Sequence, residues 1–273
     1  DLSSRASVSY GARFDFQNFT GADGSKFDDS GLSANAAIDY VLSDFWTVNA
    51  GIASIFGGYE LGEATLINFF APWDYIGLDT SRSNSARLGL RFDNGPWVAN
   101  GALFYTEIND YVSGFPVRGG TRATASDITT QGFDGPLAYH WGTGFARLNY
   151  TYADVEENGA TIDSEGYYRG RPMGHIVVLE SAWQAGKGWT LGGTAEIAPT
   201  YSDANMEAYS VWNAYAEYVP PNMENLRVRL DLRNLFDETY VARANDSAGN
   251  TNNRPIPMNE PGRTIALTAT LTF

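Results

Sequence analysis

The chain has 273 residues, 14% of them aromatic, and a net charge of −14. With Lys26 and Lys187 as its only lysines it lacks the clustered cations that phosphate neutralisation needs, which argues against a nucleic-acid partner. It has no cysteine, so disulfides, thiol nucleophiles and Cys-ligated metals are excluded, and no apolar run reaches the length of a membrane-spanning helix.

Period-two alternation dominates in chain order. Val8, Tyr10, Ala12, Phe14 and Phe16 alternate with Ser7, Ser9, Gly11, Arg13 and Asp15. Leu32 to Tyr40, Trp46 to Ile52 and Ala86 to Phe92 repeat the pattern. Noisier strands are expected at about 97–109, 123–141, 145–156, 175–185, 189–200 and 210–219, with Pro136 predicting a bulge or irregular edge. Leu226, Val228, Leu230 and Leu232 alternate with Arg227, Arg229, Asp231 and Arg233. Ile265, Leu267, Ala269, Leu271 and Phe273 close the series against Thr264, Ala266, Thr268, Thr270 and Thr272. The sum is about twelve strands, an all-β chain read as one domain over 1–273.

Connections alternate between two classes. Ser43-Asp44, Asn94–Pro96, Gly142–Gly144, Gly186–Gly188 and Pro220–Asn225 are short turns. Long loops are expected at about 18–30, 57–82, 110–122, 157–174, 201–208 and 237–262. Such a meander puts all short turns at one end of the sheet and all long loops at the other. Tyr40, Trp46, Trp97, Tyr139, Trp141, Trp183, Trp189 and Tyr218 crowd the short-turn ends, where an interfacial aromatic girdle would lie. Strands of roughly 9–11 residues suit a tilted bilayer crossing. A transmembrane antiparallel β-barrel is therefore expected rather than a soluble sandwich. One consequence is that Leu267→Arg on the lipid face should cost about 2–4 kcal/mol, and Arg at Thr268 almost nothing.

At the C-terminus a more specific pattern appears. Arg233-Asn234-Leu235-Phe236-Asp237-Glu238-Thr239-Tyr240, a loop, Pro261-Gly262-Arg263-Thr264 and a last strand ending in Phe273 resemble the end of TonB-dependent outer-membrane receptors. Ser85–Phe92 followed by Ala102–Tyr111 resembles the family's central hairpin, and Gly132-Phe133-Asp134 with Tyr150-Thr151-Tyr152 its next strands. The resemblance runs from about residue 6 to the end and matches the last dozen of the family's twenty-two strands. The plug domain and the TonB-contacting box are not matched, and Asp1–Arg5 does not read as a signal peptide, so the chain is expected to be a fragment of a receptor rather than a complete small pore.

The resemblance implies TonB-driven uptake of a scarce bulky solute across the Gram-negative outer membrane, most often a ferric siderophore. The partners implied are outer-membrane lipid and lipopolysaccharide, an iron-chelate ligand, and TonB through a segment outside this chain. Ligand capture would fall to Tyr59, Phe69, Phe70, Trp73 and Tyr75 in one loop, Phe115, Arg118 and Arg122 (with Tyr111) in the next, and Tyr167, Tyr168, Arg169 and Arg171 in a third. Aromatic faces and Arg forks suit an anionic, aromatic-bearing chelate. Lumen positions fall to Arg13, Arg87, Arg91, Arg147, Arg227, Arg229 and Arg233, with Asp15, Asp39, Asp93, Asp231 and Glu196. They would contact a plug, set the selectivity of an open pore, or simply pair with one another.

Haem uptake is the rival within the family. It would favour a His ligand, and His175 stands on the long-loop side while His140 lies beside a short turn, so the two cannot share one haem. A passive porin is a second rival. Enzymatic hydrolysis is not expected, since neither His sits in a recognisable nucleophile motif. No metal-ligand spacing or resident cofactor is read from the sequence, and acidic groups such as Asp28-Asp29 are taken as solvated loop charges.

Overall fold

The computed structural model describes residues 4–21, 24–59, 73–74, 78–117, 120–162, 172–243, 250–251, 254–255 and 258–273. In chain order the strands are β1 (Ala6–Thr20), β2 (Lys26–Val41), β3 (Trp46–Gly58), β4 (Trp73–Asp74), β5 (Ser81–Asp93), β6 (Trp97–Val117), β7 (Gly120–Trp141) and β8 (Gly144–Glu157). They continue as β9 (Ala160–Thr161), β10 (Gly174–Gly186), β11 (Trp189–Ala198), β12 (Tyr209–Tyr218), β13 (Leu226–Arg233), β14 (Asn250–Thr251), β15 (Arg254–Pro255) and β16 (Thr264–Leu271). The long strands follow one another in a single sheet in chain order, an up-and-down meander whose path is open, with β1 and β16 at its ends. The short β4 joins β7, β9 folds back on β8, and β14 pairs with β15. No helix among the described residues is long and apolar enough to cross a membrane, which says nothing of strands.

Two compact units make up the chain. The first comprises Asp1–Leu90, Leu103–Gly132 and Val155–Ile162; the second comprises Arg91–Ala102, Phe133–Asp154 and Asp163–Phe273.

In the first unit β1 and β2 pair without interruption from Ala6↔Tyr40 to Thr20↔Lys26. The loop expected at 18–30 is therefore mostly strand: Asn18↔Asp28 and Phe19↔Phe27 are ladder partners. The expected loop 110–122 is likewise strand, because β6 runs on to Val117 and β7 starts at Gly120. Alternation fades there because both faces carry polar residues, and once no apolar face marks the pleat, periodicity no longer reports a strand. Pro136 lies inside β7.

The apolar stripe is left bare. Tyr10 is 86% exposed, Ile52 65% and Leu267 73%. A second layer covering them would reduce these figures to a few per cent, so Leu267 and Phe273 do not interleave in a dry centre. Burying a Leu or Phe side chain is worth about 1.5–3 kcal/mol, and a whole stripe left in water would outweigh the stability of an ordinary domain. Lipid is the medium that removes this penalty while leaving the ladder hydrogen bonds to satisfy the backbone.

In the second unit the aromatic belt at the short turns takes shape. Trp97 lies 4.5 Å from Tyr139, and Trp189 lies 4.7 Å from Tyr218, centroid to centroid. The Lys187-Gly188 turn between β10 and β11 holds both residues at positive φ, 52° and 83°. A Cβ on Gly188 would sit 1.9 Å from the Val219 carbonyl oxygen, so only glycine fits.

Candidate functional site at the long-loop ends of the strands

Among the ligand residues expected from sequence, side chains are described for Tyr111, which lies in β6, and for Tyr59. Tyr59 follows β3 and is held by the Gln17 side chain on both sides of its own peptide: its N–H donates to Gln17 Oε1 at 2.6 Å, and Gln17 Nε2 donates to its carbonyl at 3.3 Å. Gly58, at φ 72°, lets the chain turn close over Gln17. The Tyr59 ring stands edge-on to Phe19 and Phe27, which stack on each other at 4.8 Å. Burial pushes its phenol pKa above the ordinary value, and the carboxylates of Asp29, Asp79 and Asp28 push it further in the same direction. Tyr59 thus staples the loop start to the β1–β2 hairpin, in surroundings that repel an anion. Phe19, Phe27 and Gln17 were not legible as partners of Tyr59, because the sequence reading placed them in or beside a loop instead of on paired strands.

Trp73 and Arg122 come together from two different loops. β4 pairs in parallel with the loop end of β7, with registers Trp73↔Thr121 and Asp74↔Arg122. Phe115 lies within β6. Phe69, Phe70, Tyr75, Arg118, Tyr167, Tyr168, Arg169 and Arg171 lie outside the described residues. Tyr111 packs against a buried cluster of Ile128, Val155 and Ile162.

The polar face carries the expected lumen arginines, most of them neutralised. Arg13 pairs with Asp15 at 2.8 Å, Arg91 with Asp93 at 3.1 Å and Arg147 with Glu180 at 3.1 Å. In the second unit Arg229 bonds Asp231 at 2.9 Å and approaches Glu217 at 3.7 Å, while Arg227 reaches Glu217 at 3.4 Å. The Arg229 guanidinium also lies 3.8 Å above the Tyr215 ring. Tyr215 lies flat because Gly192 leaves it room, a Cβ there meeting the ring at 2.5 Å.

Glu196 meets a loop strap that the sequence did not reveal. Tyr209 donates to Glu196 Oε1 at 2.5 Å and accepts the Arg243 N–H at 3.2 Å, and the Arg243 guanidinium donates to the Pro199 carbonyl. Tyr240 lies tilted against Tyr209 at 4.8 Å, closing a cluster that includes Ile176, Ala198 and Val211. Burial lowers the pKa of Arg243 and raises that of Tyr240. The start of the last long loop is thereby pinned to β11 and β12.

The C-terminal signature has a physical reading. Asn234, at φ 49° and nearly buried, donates through Nδ2 to the carbonyls of Glu238 and Pro261, and its Oδ1 accepts the Glu238 N–H. Asp237 Oδ1 accepts the Arg263 N–H at 2.7 Å, and Gly262 stands where a Cβ would press on that carboxylate at 2.9 Å. Asn-Leu-Phe-Asp and Gly-Arg-Thr are therefore the two halves of one lock between the end of β13 and the start of β16.

His175, at the loop end of β10, pairs in register with Tyr152, on the same face as Leu179 and Leu148. Its Nδ1 lies 2.7 Å from Tyr150 Oη, and its ring stacks on Tyr152 at 4.7 Å. Tyr201 meets Tyr152 edge-on and donates to Asp154 at 2.8 Å; burial and that carboxylate push its phenol pKa well up. His140 packs on Phe145 at the opposite end. No group of three or more acidic, His or Cys side chains suited to a metal occurs among the described residues.

An open antiparallel meander with a bare apolar face, a wet face and locked loop ends is the architecture of a portion of a transmembrane β-barrel. The chain belongs to the TonB-dependent receptor family: residues 1–235 match the family model described as TonB dependent receptor-like, beta-barrel. The heme transporter BhuA of Brucella ovis is 26% identical over 281 residues, covering 98% of this chain and 42% of that protein, and BhuA of Brucella suis biovar 1 matches to the same extent. Among solved structures, the copper transporter OprC superposes with a TM-score of 0.77 at 15% identity, covering 100% of this chain and 46% of that one. The FrpB iron transporter of Neisseria meningitidis gives 0.75 at 16% identity, with 99% of this chain and 44% of that one covered. The ferric-catecholate import receptor Fiu of E. coli K12 gives 0.71 at 19% identity, with 100% and 43% covered. These structural likenesses speak for the fold alone. The chain spans less than half the length of these relatives.

Proposed function

We propose that this chain is the C-terminal part of the barrel of a receptor that imports an iron compound through the Gram-negative outer membrane, energised through TonB by a segment outside this chain. The observation that carries the reading is the family match over residues 1–235, joined to an apolar face bare enough to require lipid. Outer-membrane lipid and lipopolysaccharide would meet that face. A ferric siderophore is the preferred ligand. The β4–β7 pair brings Trp73 and Arg122 onto neighbouring strands, and Phe69, Phe70, Phe115, Arg118 and Tyr167–Arg171 extend that aromatic and cationic composition.

Haem is the second reading, supported by the resemblance to BhuA. Under it His175 is poorly disposed as the axial ligand, since it stands on the apolar face with Nδ1 engaged by Tyr150. The test is growth of an iron-starved outer-membrane host lacking its own receptors and carrying the full-length protein. Growth on ferric catecholates, lost in a host without TonB, is expected. Growth on haem alone would move the ligand to the second reading, and iron supply independent of TonB would indicate a passive pore.

A further inference from the structure

In the first unit both ends of the long loop between β3 and β5 are tied to one cross-strand pair of the β1–β2 hairpin. Gln17 and Asp29 are ladder partners, so their side chains leave the same face of the sheet. Gln17 grips the departing end: its Oε1 accepts the Tyr59 N–H at 2.6 Å, and its Nε2 donates to the Tyr59 carbonyl at 3.3 Å. Asp29 grips the returning end, where its Oδ2 accepts the Thr80 hydroxyl at 2.6 Å. β1 is not a sheet neighbour of β3, so Gln17 reaches across β2 to make its contacts.

The two ends also lean on each other. Ser81 Oγ donates to the Gly58 carbonyl at 3.4 Å, and a Cβ on Gly57 would run into that hydroxyl. Arg82, on the returning strand, donates to Ser54 Oγ of the departing strand at 3.0 Å and to the Leu32 carbonyl of β2 at 3.1 Å. The Tyr59 hydroxyl returns to β2 as well, donating to the Asp28 carbonyl at 3.4 Å. A hydrogen bond on its own fastens only its own residue. Contacts that share partners are coupled, so releasing one end removes support from the other. The β1–β2 ladder itself runs to Thr20↔Lys26 without help from the loop, so the clamp serves the loop and not the hairpin.

We propose that Gln17 and Asp29 form a single clamp that fixes both ends of the β3–β5 loop, and that they are positioning residues for import, acting on the ligand through the loop and not by touching it. The inference rests on the import reading above, in which this loop supplies Phe69, Phe70 and Trp73. A loop with both ends fixed has given up part of its conformational entropy before ligand arrives, so binding has less to order and is tighter. The clamp therefore acts on affinity and leaves the TonB-driven step, which follows binding, at its own rate.

The test uses the full-length receptor and three variants. Gln17→Met keeps the length of the side chain without its amide, Thr80→Val removes the hydroxyl at constant volume, and the third combines them. Hydrogen exchange in bilayers without ligand, read by mass spectrometry, follows segments 56–59 and 80–82. Each single variant should speed exchange about tenfold at both segments, including the one it does not touch, and the double variant should be little faster than either. Loosening confined to the altered end, or effects that add in the double variant, would overturn the clamp. For the positioning role, both single variants should need about tenfold more of a ferric tris-catecholate for half-maximal uptake, at an unchanged maximal rate. Asp29→Asn, which keeps an acceptor for Thr80, should stay near wild type while Asp29→Ala does not. Unchanged half-saturation in the single variants would overturn that role. Absence of uptake by the wild type would instead overturn the ligand reading beneath it, while the exchange result decides the clamp by itself.

Discussion

The first and last strands are alike in the apolar residues of one face and differ in how densely the other is charged. On β1–β3 the polar face carries the Arg13–Asp15 pair and Asp39, and is small and uncharged along Ser7, Ser9 and Gly11, Ser33, Asn35 and Ala37, and Thr47, Asn49 and Gly51. Two of its asparagines lie over glycines, Asn35 on Gly11 and Asn49 on Gly89. On β12, β13 and β16 the same face is built from Tyr215, Glu217, Arg227, Arg229 and Asp231, linked by ion pairs and a cation–π contact. The alternation that lipid imposes thus prescribes where polar residues stand and leaves their size and charge free. Glycine serves both walls, under a flexible amide in one and a fixed ring in the other.

The largest effect should come from the face both regions share. Leu267→Arg should cost about 2–4 kcal/mol in reversible folding into bilayers. Thr268 stands opposite Arg229, so Ala266, opposite Asp231, is the fairer polar-face control, and Ala266→Arg should be nearly neutral. Equal costs would erase the distinction between the faces. Next, Asn234→Ala removes the hydrogen bonds that lock β13 to β16 and places alanine at positive φ; a loss of about 2 kcal/mol is expected in the same assay.

The glycine seats sharpen the contrast between the walls. Gly192→Ala drives a Cβ into the Tyr215 ring, which Arg229 pins, and should cost about 1–2 kcal/mol. Gly11→Ala meets only the end of the Asn35 amide, which can swing aside, so its effect should stay within ~0.5 kcal/mol. Costs in the reverse order would mean that the first wall is the rigid one. Smallest of all, Arg13→Gln breaks an exposed pair with Asp15 and should fall below ~1 kcal/mol, shrinking further in salt.

Strand order, faces and short turns were legible because lipid writes them into every second residue. The loop-side extensions of β1, β2, β6 and β7 were not, since beyond the bilayer nothing demands an apolar face and the pattern goes silent. The signature around Asn234 and Asp237 was readable as a motif, while its mechanism depends on Pro261 and Arg263 arriving from across a loop. Tyr59 was legible as an aromatic loop residue, but its work as a staple depends on Gln17, Phe19 and Phe27, which only strand pairing brings near. Tyr209, Glu196 and Arg243 come from three separate segments, with no spacing to betray them.

The most direct measurement is an accessibility scan of β16 in the full-length receptor, with single spin labels at residues 264–271 in lipid bilayers. Labels at 265, 267, 269 and 271 should relax with oxygen dissolved in the hydrocarbon, and those at 264, 266, 268 and 270 with a water-soluble nickel reagent. A flat profile, or one in which the apolar positions answer to the aqueous reagent, would contradict a strand with lipid on one side and a wet interior on the other.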